Sequence, residues 1–153
     1  YRAVNIAPVT IGSADFESRF NAILDNHNAP RNRIVIEITE EVALDRPIVP
    51  RVERLKLSGL RVGIDDFGTG QTSFKNLYTY PADLIKIDRT FIAELIDNPA
   101  SQELVATIVR LAKVLRMSVV AEGVETAEVA EWLRQNGVGY GQGWHWGKAT
   151  ALQ

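Results

Sequence analysis

The stretch Val62-Gly-Ile-Asp-Asp-Phe-Gly-Thr-Gly70 decides the fold. It begins as a short β-branched run and ends on two acids, Asp65 and Asp66, before a glycine-rich turn. Similar apolar runs recur along the chain and alternate with helical stretches, which is typical of parallel βα units. Six strands are predicted, near Ala3 to Ile6, Ile34 to Ile38, Val62 to Asp65, Leu84 to Ile87, Val119 to Ala121 and Tyr140 to Gly143.

Apolar residues at helical spacing predict four helix faces between these strands. The faces are Phe16, Phe20, Ile23 and Leu24; Ile48, Val52 and Leu55; Leu104, Ile108, Leu111 and Leu115; and Val129, Trp132 and Leu133. Ser13 and Thr126 are predicted to cap helix starts, and the pairs Ser58-Gly59 and Asn136-Gly137 to end helices. Six βα units suit either an open doubly wound sheet or most of an eight-stranded barrel.

The composition indicates one globular domain and excludes several classes of function. A chain of 153 residues with 46% hydrophobic and 24% charged residues can bury a single core. A net charge of -2 gives no basic field for duplex DNA or RNA, so neither is an expected partner. The absence of cysteine excludes disulfides, thiolate zinc sites and a cysteine nucleophile, and is compatible with the cytoplasm. No apolar run reaches the roughly 18 to 20 residues of a membrane helix, so no membrane contact is expected from this segment, although other domains of the parent protein could anchor it.

Each predicted strand carries, near its downstream end, a polar residue of a kind that binds metal or phosphate. These residues are Asn5, Glu37, Asp65 with Asp66, Lys86, Glu122 and Gln142. Any one of them could instead be a helix cap or a turn former. In a parallel barrel all strands end on one rim, where such residues converge, whereas an open sheet spreads them along a line. The full set therefore favours a TIM-type (β/α) barrel.

The chemistry of this set predicts a metal site. Four acids, two amides and one lysine at one rim form a hard-oxygen site suited to Mg²⁺ or Mn²⁺, not a zinc site built on His and Cys. Divalent cations would offset the repulsion between the carboxylates. Such ions lower the pKa of a bound water and clamp phosphate oxygens, and a neighbouring lysine can neutralise charge or orient the water. Phosphodiester hydrolysis needs these features.

Six motifs follow one another along the chain: Val-Asn-Ile-Ala at 4–7, Ile-Glu-Ile-Thr-Glu at 36–40, Asp-Asp-Phe-Gly-Thr-Gly at 65–70, Leu-Ile-Lys-Ile-Asp-Arg-Thr-Phe at 84–91, Val-Val-Ala-Glu-Gly-Val-Glu-Thr at 119–126 and Gly-Gln-Gly-Trp at 141–144. In their order and spacing they resemble the EAL family of bacterial cyclic di-GMP phosphodiesterases. The resemblance implies hydrolysis of cyclic di-GMP to linear pGpG with two Mg²⁺ or Mn²⁺ ions in second-messenger signalling. The alternative is a non-catalytic receptor or protein-interaction module of the same fold.

The resemblance also implies a role for each matching residue. The implied metal ligands are Asn5, Glu37, Asp65, Asp66 and Glu122. Asp65 would bridge the two ions. Asp66 would hold the second ion and is also implied to be a catalytic residue. Lys86 matches the lysine that touches the attacking water and the phosphate. Glu125 and Gln142 match residues that support the substrate and the catalytic water.

A regulatory loop is implied as well. Glu40 matches the glutamate that anchors the loop from Phe67 to Ser73, which in the family orders the Asp-Asp pair and takes part in homodimer contacts. Gln71 and Thr72 stand where the family usually has Tyr and Ser, and Ala149 where it usually has Pro.

The Glu-Ala-Leu segment that names the family is not in this chain. The family pattern places it several dozen residues before Asn5, with a metal-binding glutamate, a substrate-contacting arginine and the first two barrel strands. The last helix is missing at the other end. Residues 1–153 are therefore interpreted as a single partial EAL domain, about its C-terminal two thirds and an incomplete barrel, which is expected to be inactive alone.

Overall fold

The computed structural model describes residues 2–40, 48–69, 77–78 and 80–147. They fall into two compact units, Tyr1–Asp83 and Leu84–Gln153. Each unit contains three parallel strands with helices between them. The predictions made for positions 71, 72 and 149, and for most of the loop 67–73, lie outside the described residues.

The first unit carries its strands in chain order, each hydrogen-bonded to the next. Its elements are β1 (Arg2–Asn5), α1 (Pro8–Gly12), α2 (Phe16–Asn26), a 3-10 turn (Arg31–Arg33), β2 (Ile34–Thr39), α3 (Val49–Leu57) and β3 (Arg61–Phe67). Five of the six residues of β2 are buried in succession, as expected for a parallel strand covered on both faces. The core includes Ile36, Ile38, Val52, Leu55, Val62 and Ile64, all 0–1% exposed.

The amino end of β3 is fixed by Asp83. Its Oδ2 accepts a hydrogen bond from the backbone N–H of Val62 at 2.9 Å. Its Oδ1 lies 2.8 Å from Nζ of Lys56 at the end of α3, and both side chains are about 30% exposed. This half-exposed pair lies at the end of β3 opposite to Asp65 and Asp66.

The second unit repeats the alternation of strand and helix. Its elements are β4 (Leu84–Ile87), α4 (Arg89–Ala93), α5 (Pro99–Val114), β5 (Ser118–Ala121), α6 (Ala127–Gln135), β6 (Tyr140–Gly141) and a 3-10 turn (Trp144–Trp146). β5 lies between β4 and β6 and is parallel to both. Every residue of β4 is buried, Lys86 included.

The six predicted strands are all confirmed, with ends that differ by at most two residues. Thr126 caps α6, because its side chain accepts from the N–H of Val129. Gly59 and Gly137 follow helix ends with φ values of +96° and +85°, as the stop signals predict. No helix among the described residues is long and apolar enough to cross a membrane.

Parts of the helix predictions are wrong. Ser13 does not cap α2, because its N–H bonds back to the carbonyl of Thr10 and Asp15 takes the capping position. Ile23 is 55% exposed, and Leu104 is 37% exposed. The buried residues of α5 are Ser101, Val105, Ile108 and Ala112. Since two of these are small, the helix buries a face that hydrophobicity alone does not identify.

Candidate functional site

Asn5, Glu37 and Asp65 share one face of the first unit's sheet at the carboxyl ends of its strands. Asn5 is the register partner of Glu37, and Asp65 is the partner of Thr39, two residues further along β2. Side chains alternate between the two faces of a sheet, so residues in these positions point the same way. Glu37 is buried, Asp65 half-buried and Asn5 exposed. The arrangement places two carboxylates and an amide on one face near the carboxyl ends of neighbouring strands.

Asp66 follows with an unusual backbone conformation. Its φ is +53°, in the left-handed region that few residues other than glycine adopt, although Asp tolerates it better than most. Its N–H donates to Oδ1 of Asp65 at 3.1 Å, and its carbonyl accepts from the hydroxyl of Thr69 at 2.8 Å. Asp66 is exposed whereas Phe67 is buried. The turn therefore presents the second acid to solvent directly beside the first.

Glu40 contacts the start of the loop that follows β3. It is only 4% exposed, and its Oε2 accepts a hydrogen bond from the N–H of Gly68 at 3.0 Å. Gly68 has a φ of +100°, a conformation that favours glycine. This hydrogen bond is the kind of contact that the predicted anchoring role of Glu40 requires.

Lys86, Glu122 and Gln142 are in direct contact in the second unit. Lys86 lies in β4, and Glu122 and Gln142 come directly after β5 and β6. Backbone hydrogen bonds from Glu122 to Ile87 (3.1 Å) and from Gln142 to Ala121 (2.8 Å) hold these strand ends side by side. Nζ of Lys86 lies 2.5 Å from Oε1 of Glu122, and the same oxygen accepts from Nε2 of Gln142 at 2.6 Å. The carboxylate thus compensates a buried ammonium ion and receives a second donor.

Glu125 lies at the edge of an open cleft in the same unit. The cleft has a volume of about 350 Å³ and is lined by Arg89, Gly123, Glu125, Gln142, Gly143, Trp144 and Gly147. Glu125 is exposed there, and Gln142 connects the cleft to Glu122 through the hydrogen bond already described. Arg89 is not among the predicted site residues, although it lies three positions after Lys86 within one of the six motifs.

Two segments, 123–125 and 142–145, are held together through their backbones. The N–H of Val124 donates to the carbonyl of Gln142 at 3.1 Å, and the N–H of His145 donates to the carbonyl of Val124 at 3.0 Å. A Cβ on Gly143 would collide with the backbone N, C and O of Val124. Glycine at position 143 therefore allows the close approach that shapes the cleft.

We expect Gly143→Ala to disrupt this contact, because the atoms that the new methyl group meets belong to backbone and cannot rotate away. The substitution should lower the free energy of unfolding by about 1–3 kcal/mol. Thermal unfolding of the full-length protein measures the change. Gly139→Ala is the matched control, since a Cβ there meets no atom within 4 Å. Equal midpoints for the two variants would contradict the packing argument.

Comparison with known proteins identifies the chain's relatives. The EAL domain family matches residues 2–149. Cyclic di-GMP phosphodiesterase PdeF of Escherichia coli K12 is 34% identical over 152 residues, which cover 98% of this chain and 20% of PdeF. The structure of PaMucR phosphodiesterase in complex with c-di-GMP superposes with a TM-score of 0.90 at 34% identity, over 95% of this chain and 60% of that one. BlrP1 of Klebsiella pneumoniae, in a manganese and c-di-GMP complex, gives a TM-score of 0.85 at 29% identity, over 94% of this chain and 37% of that one.

These likenesses settle the fold class. The solved EAL structures are TIM-barrel-like, and the chain spans 60% of the PaMucR chain. The predicted α/β fold, a TIM-type barrel that is incomplete in this chain, is therefore confirmed. The family match runs from residue 2 to residue 149, which is almost the whole chain. The chain belongs to the EAL domain family.

Proposed function

We propose that the parent protein hydrolyses cyclic di-GMP to linear pGpG, and that this chain supplies most of the residues that do so. The observation that carries the proposal is the oxygen set Asn5, Glu37 and Asp65 on one sheet face. It occurs in a chain whose relatives include a named cyclic di-GMP phosphodiesterase and a phosphodiesterase solved with c-di-GMP. The chain spans only a fifth of PdeF, so the activity is proposed for the parent protein as a whole.

The residues present fit divalent cations. The ligand atoms on offer are carboxylate and amide oxygens, which Mg²⁺ and Mn²⁺ prefer, and the chain has no cysteine. We propose that Asn5, Glu37, Asp65, Asp66 and Glu122 hold two such ions. When bound, the ions would lower the pKa of a water molecule and balance charge on the phosphate. The manganese and calcium complexes of BlrP1 with c-di-GMP support a divalent cation, and Mg²⁺ or Mn²⁺ is the proposal for this protein.

The side chains of the second unit act on the phosphate and the water. Hydrolysis forms a bond from the water oxygen to phosphorus, breaks a ring P–O ester bond and leaves a proton on the departing oxygen. Lys86, buried and fixed against Glu122, offers a positive charge for the developing phosphate charge or a donor for the water. Gln142 and Glu125 are proposed to support the substrate and the water from the neighbouring cleft.

Glu40 is proposed to act through the backbone. By binding the N–H of Gly68 it holds the end of β3, and with it the left-handed turn at Asp66.

We also propose a homodimer that uses the loop 67–73. The proposed location is the cytoplasm, in line with a cysteine-free sequence.

We expect the full-length protein to convert cyclic di-GMP to pGpG in the presence of Mg²⁺ or Mn²⁺, and to lose this activity when EDTA removes the metal. Residues 1–153 alone should show negligible turnover, because the Glu-Ala-Leu segment with its metal-binding glutamate lies outside them. Chromatography of the nucleotide products measures the turnover of the full-length protein and of residues 1–153.

A measurement of nucleotide binding beside turnover distinguishes a phosphodiesterase from a non-catalytic receptor. Calorimetry with Ca²⁺ in place of the catalytic metal reports nucleotide binding without turnover. A full-length protein that binds cyclic di-GMP but never forms pGpG would be the non-catalytic receptor. Rapid metal-dependent turnover by residues 1–153 would show that the absent segment is dispensable.

A further inference from the structure

The strand end that carries Gln142 is supported from behind by a tryptophan. Nε2 of Gln142 donates to Oε1 of Glu122 at 2.6 Å, and the preceding residue, Gly141, is the register partner of the wholly buried Ala121. Side chains alternate between the two faces of a strand, so Gly141 faces away from Glu122. The indole of Trp146 lies against Gly141 on this far face. It therefore packs on β6 one residue before Gln142.

The contact between the indole and the strand is close. A Cβ on Gly141 would lie 2.6 Å from Cη2 and 2.8 Å from Cζ3 of Trp146, and 3.6 Å from Cγ2 of Val124. Carbon atoms in contact lie about 3.5–4.0 Å apart, so the ring occupies the space that a side chain at position 141 would need. An open groove of about 350 Å³ lies behind the strand, lined by residues of α6, by Gly141 and by Trp146. The indole, and not a side chain of α6, is thus the nearest group to Gly141.

The turn that carries Trp146 is itself held in place. The N–H of Trp146 donates to the carbonyl of Gly143 at 3.2 Å, and the N–H of His145 donates to the carbonyl of Val124 at 3.0 Å. The imidazole of His145 lies edge-on to the indole, with ring centroids 5.0 Å apart and an angle of 71° between the planes, a favourable aromatic geometry. The carbonyl of Gln142 accepts from the N–H of Val124 at 3.1 Å. The backbone of Gln142 and the ring of Trp146 are therefore both tied to Val124.

We propose that Trp146 is a positioning residue for the amide of Gln142. A misplacement of about 1 Å in a group that orients the reactants can cost about a hundredfold in rate, so the strand end must be held firmly. Trp146 is not among the residues that line the cleft beside Glu125, and it acts on the reaction only through the backbone of β6. The inference rests on the proposed role of Gln142 in hydrolysis and adds the complementary pair Gly141 and Trp146.

The test uses the full-length protein with Trp146→Ala, Gly141→Ala and both substitutions together. kcat and KM for cyclic di-GMP are measured in Mg²⁺ or Mn²⁺, below the thermal unfolding midpoint of every variant. Trp146→Ala removes the support and should lower kcat about tenfold. Gly141→Ala should lower kcat by a similar factor, because the new methyl group displaces the indole. In the combined variant the methyl group meets no ring, so it should add at most about a twofold loss to that of Trp146→Ala.

Gly139→Ala is the matched control for the added methyl group, since a Cβ there meets no atom within 4 Å. It should keep the parental kcat. A second comparison places Trp146→Ala in a Gln142→Ala background. With the amide gone there is nothing left to position, so Trp146→Ala should then change kcat by less than about twofold. If Trp146→Ala does not fold, Gly141→Ala takes its place in this comparison.

A tryptophan that only stabilises the fold gives a different pattern. Trp146→Ala would then lower the unfolding midpoint and leave kcat at the parental value, or it would lower kcat by the same factor with and without Gln142. Either result would overturn the inference. So would parental turnover in Gln142→Ala, because the amide would have no function to support. A parental protein that never forms pGpG would instead overturn the proposed function, and the positioning role with it.

Discussion

Asp65→Asn in the full-length protein is expected to abolish hydrolysis of cyclic di-GMP and to weaken metal binding at the same time. Asp65 lies on the same sheet face as Glu37 and Asn5 and directly beside Asp66. Its proposed role is to bridge two divalent ions, and a neutral amide cannot offset the charge of two dications. Turnover should fall by about a thousandfold or more, which corresponds to about 4 kcal/mol of lost transition-state stabilisation.

The fold should survive this substitution. In the structure Oδ1 of Asp65 accepts the N–H of Asp66 at 3.1 Å, and an asparagine Oδ1 can accept the same hydrogen bond. We therefore expect the loss of turnover to result from the missing charge and not from a change in the fold. Manganese binding by calorimetry and pGpG formation by chromatography should decline together.

Asp83→Asn provides the matched control, because Asp83 lies at the opposite end of the same strand. Its Oδ2 accepts from the N–H of Val62, and its ion pair with Lys56 is about 30% exposed. Half-exposed pairs contribute little, so this variant should lose at most about 1 kcal/mol of stability and keep its turnover. If Asp65→Asn also retains parental turnover, the acids at the strand ends are not the catalytic site.

The strands were predictable because their signals are local. In β2 to β5, apolar runs of four to seven residues rich in Val and Ile fit buried parallel strands, and a polar residue near the end of each run marks the carboxyl end. The positions of Asn5, Glu37, Asp65 and Lys86 relative to those ends follow from that reading. The functional roles of these residues came from their resemblance to six family motifs.

Tertiary packing explains what the sequence did not predict. In α5 the leucines suggested one face, but the helix buries Ser101 and Ala112, two small residues that an apolar pattern does not select. The contact of Gly123 with Arg89 joins residues 34 positions apart, and no local pattern points to it. The contacts of Oε1 of Glu122 with both Lys86 and Gln142 likewise depend on the register of β4, β5 and β6. Arg89 was overlooked for this reason.

Substitution of Lys86 tests whether turnover can be lost while nucleotide binding is kept. The side chain is 5% exposed, and its Nζ lies 2.5 Å from Oε1 of Glu122. A protonated ammonium group only donates hydrogen bonds and has no lone pair for a metal ion. Lys86→Met keeps the length of the side chain and removes the charge, while Gln142 still donates to the carboxylate. The folded strand ends should therefore persist without the ammonium group.

We expect Lys86→Met to lower kcat about a hundred- to a thousandfold, the usual cost of losing one group that stabilises developing charge. The dissociation constant of cyclic di-GMP in Ca²⁺ should change less than tenfold, because the lost interaction belongs to the transition state. Lys56→Met is the control, since the half-exposed Lys56–Asp83 pair lies at the amino end of β3. Equal losses of affinity and turnover would make Lys86 a simple binding residue. Parental turnover in Lys86→Met would mean that the buried ammonium group only balances Glu122, and that another donor meets the phosphate.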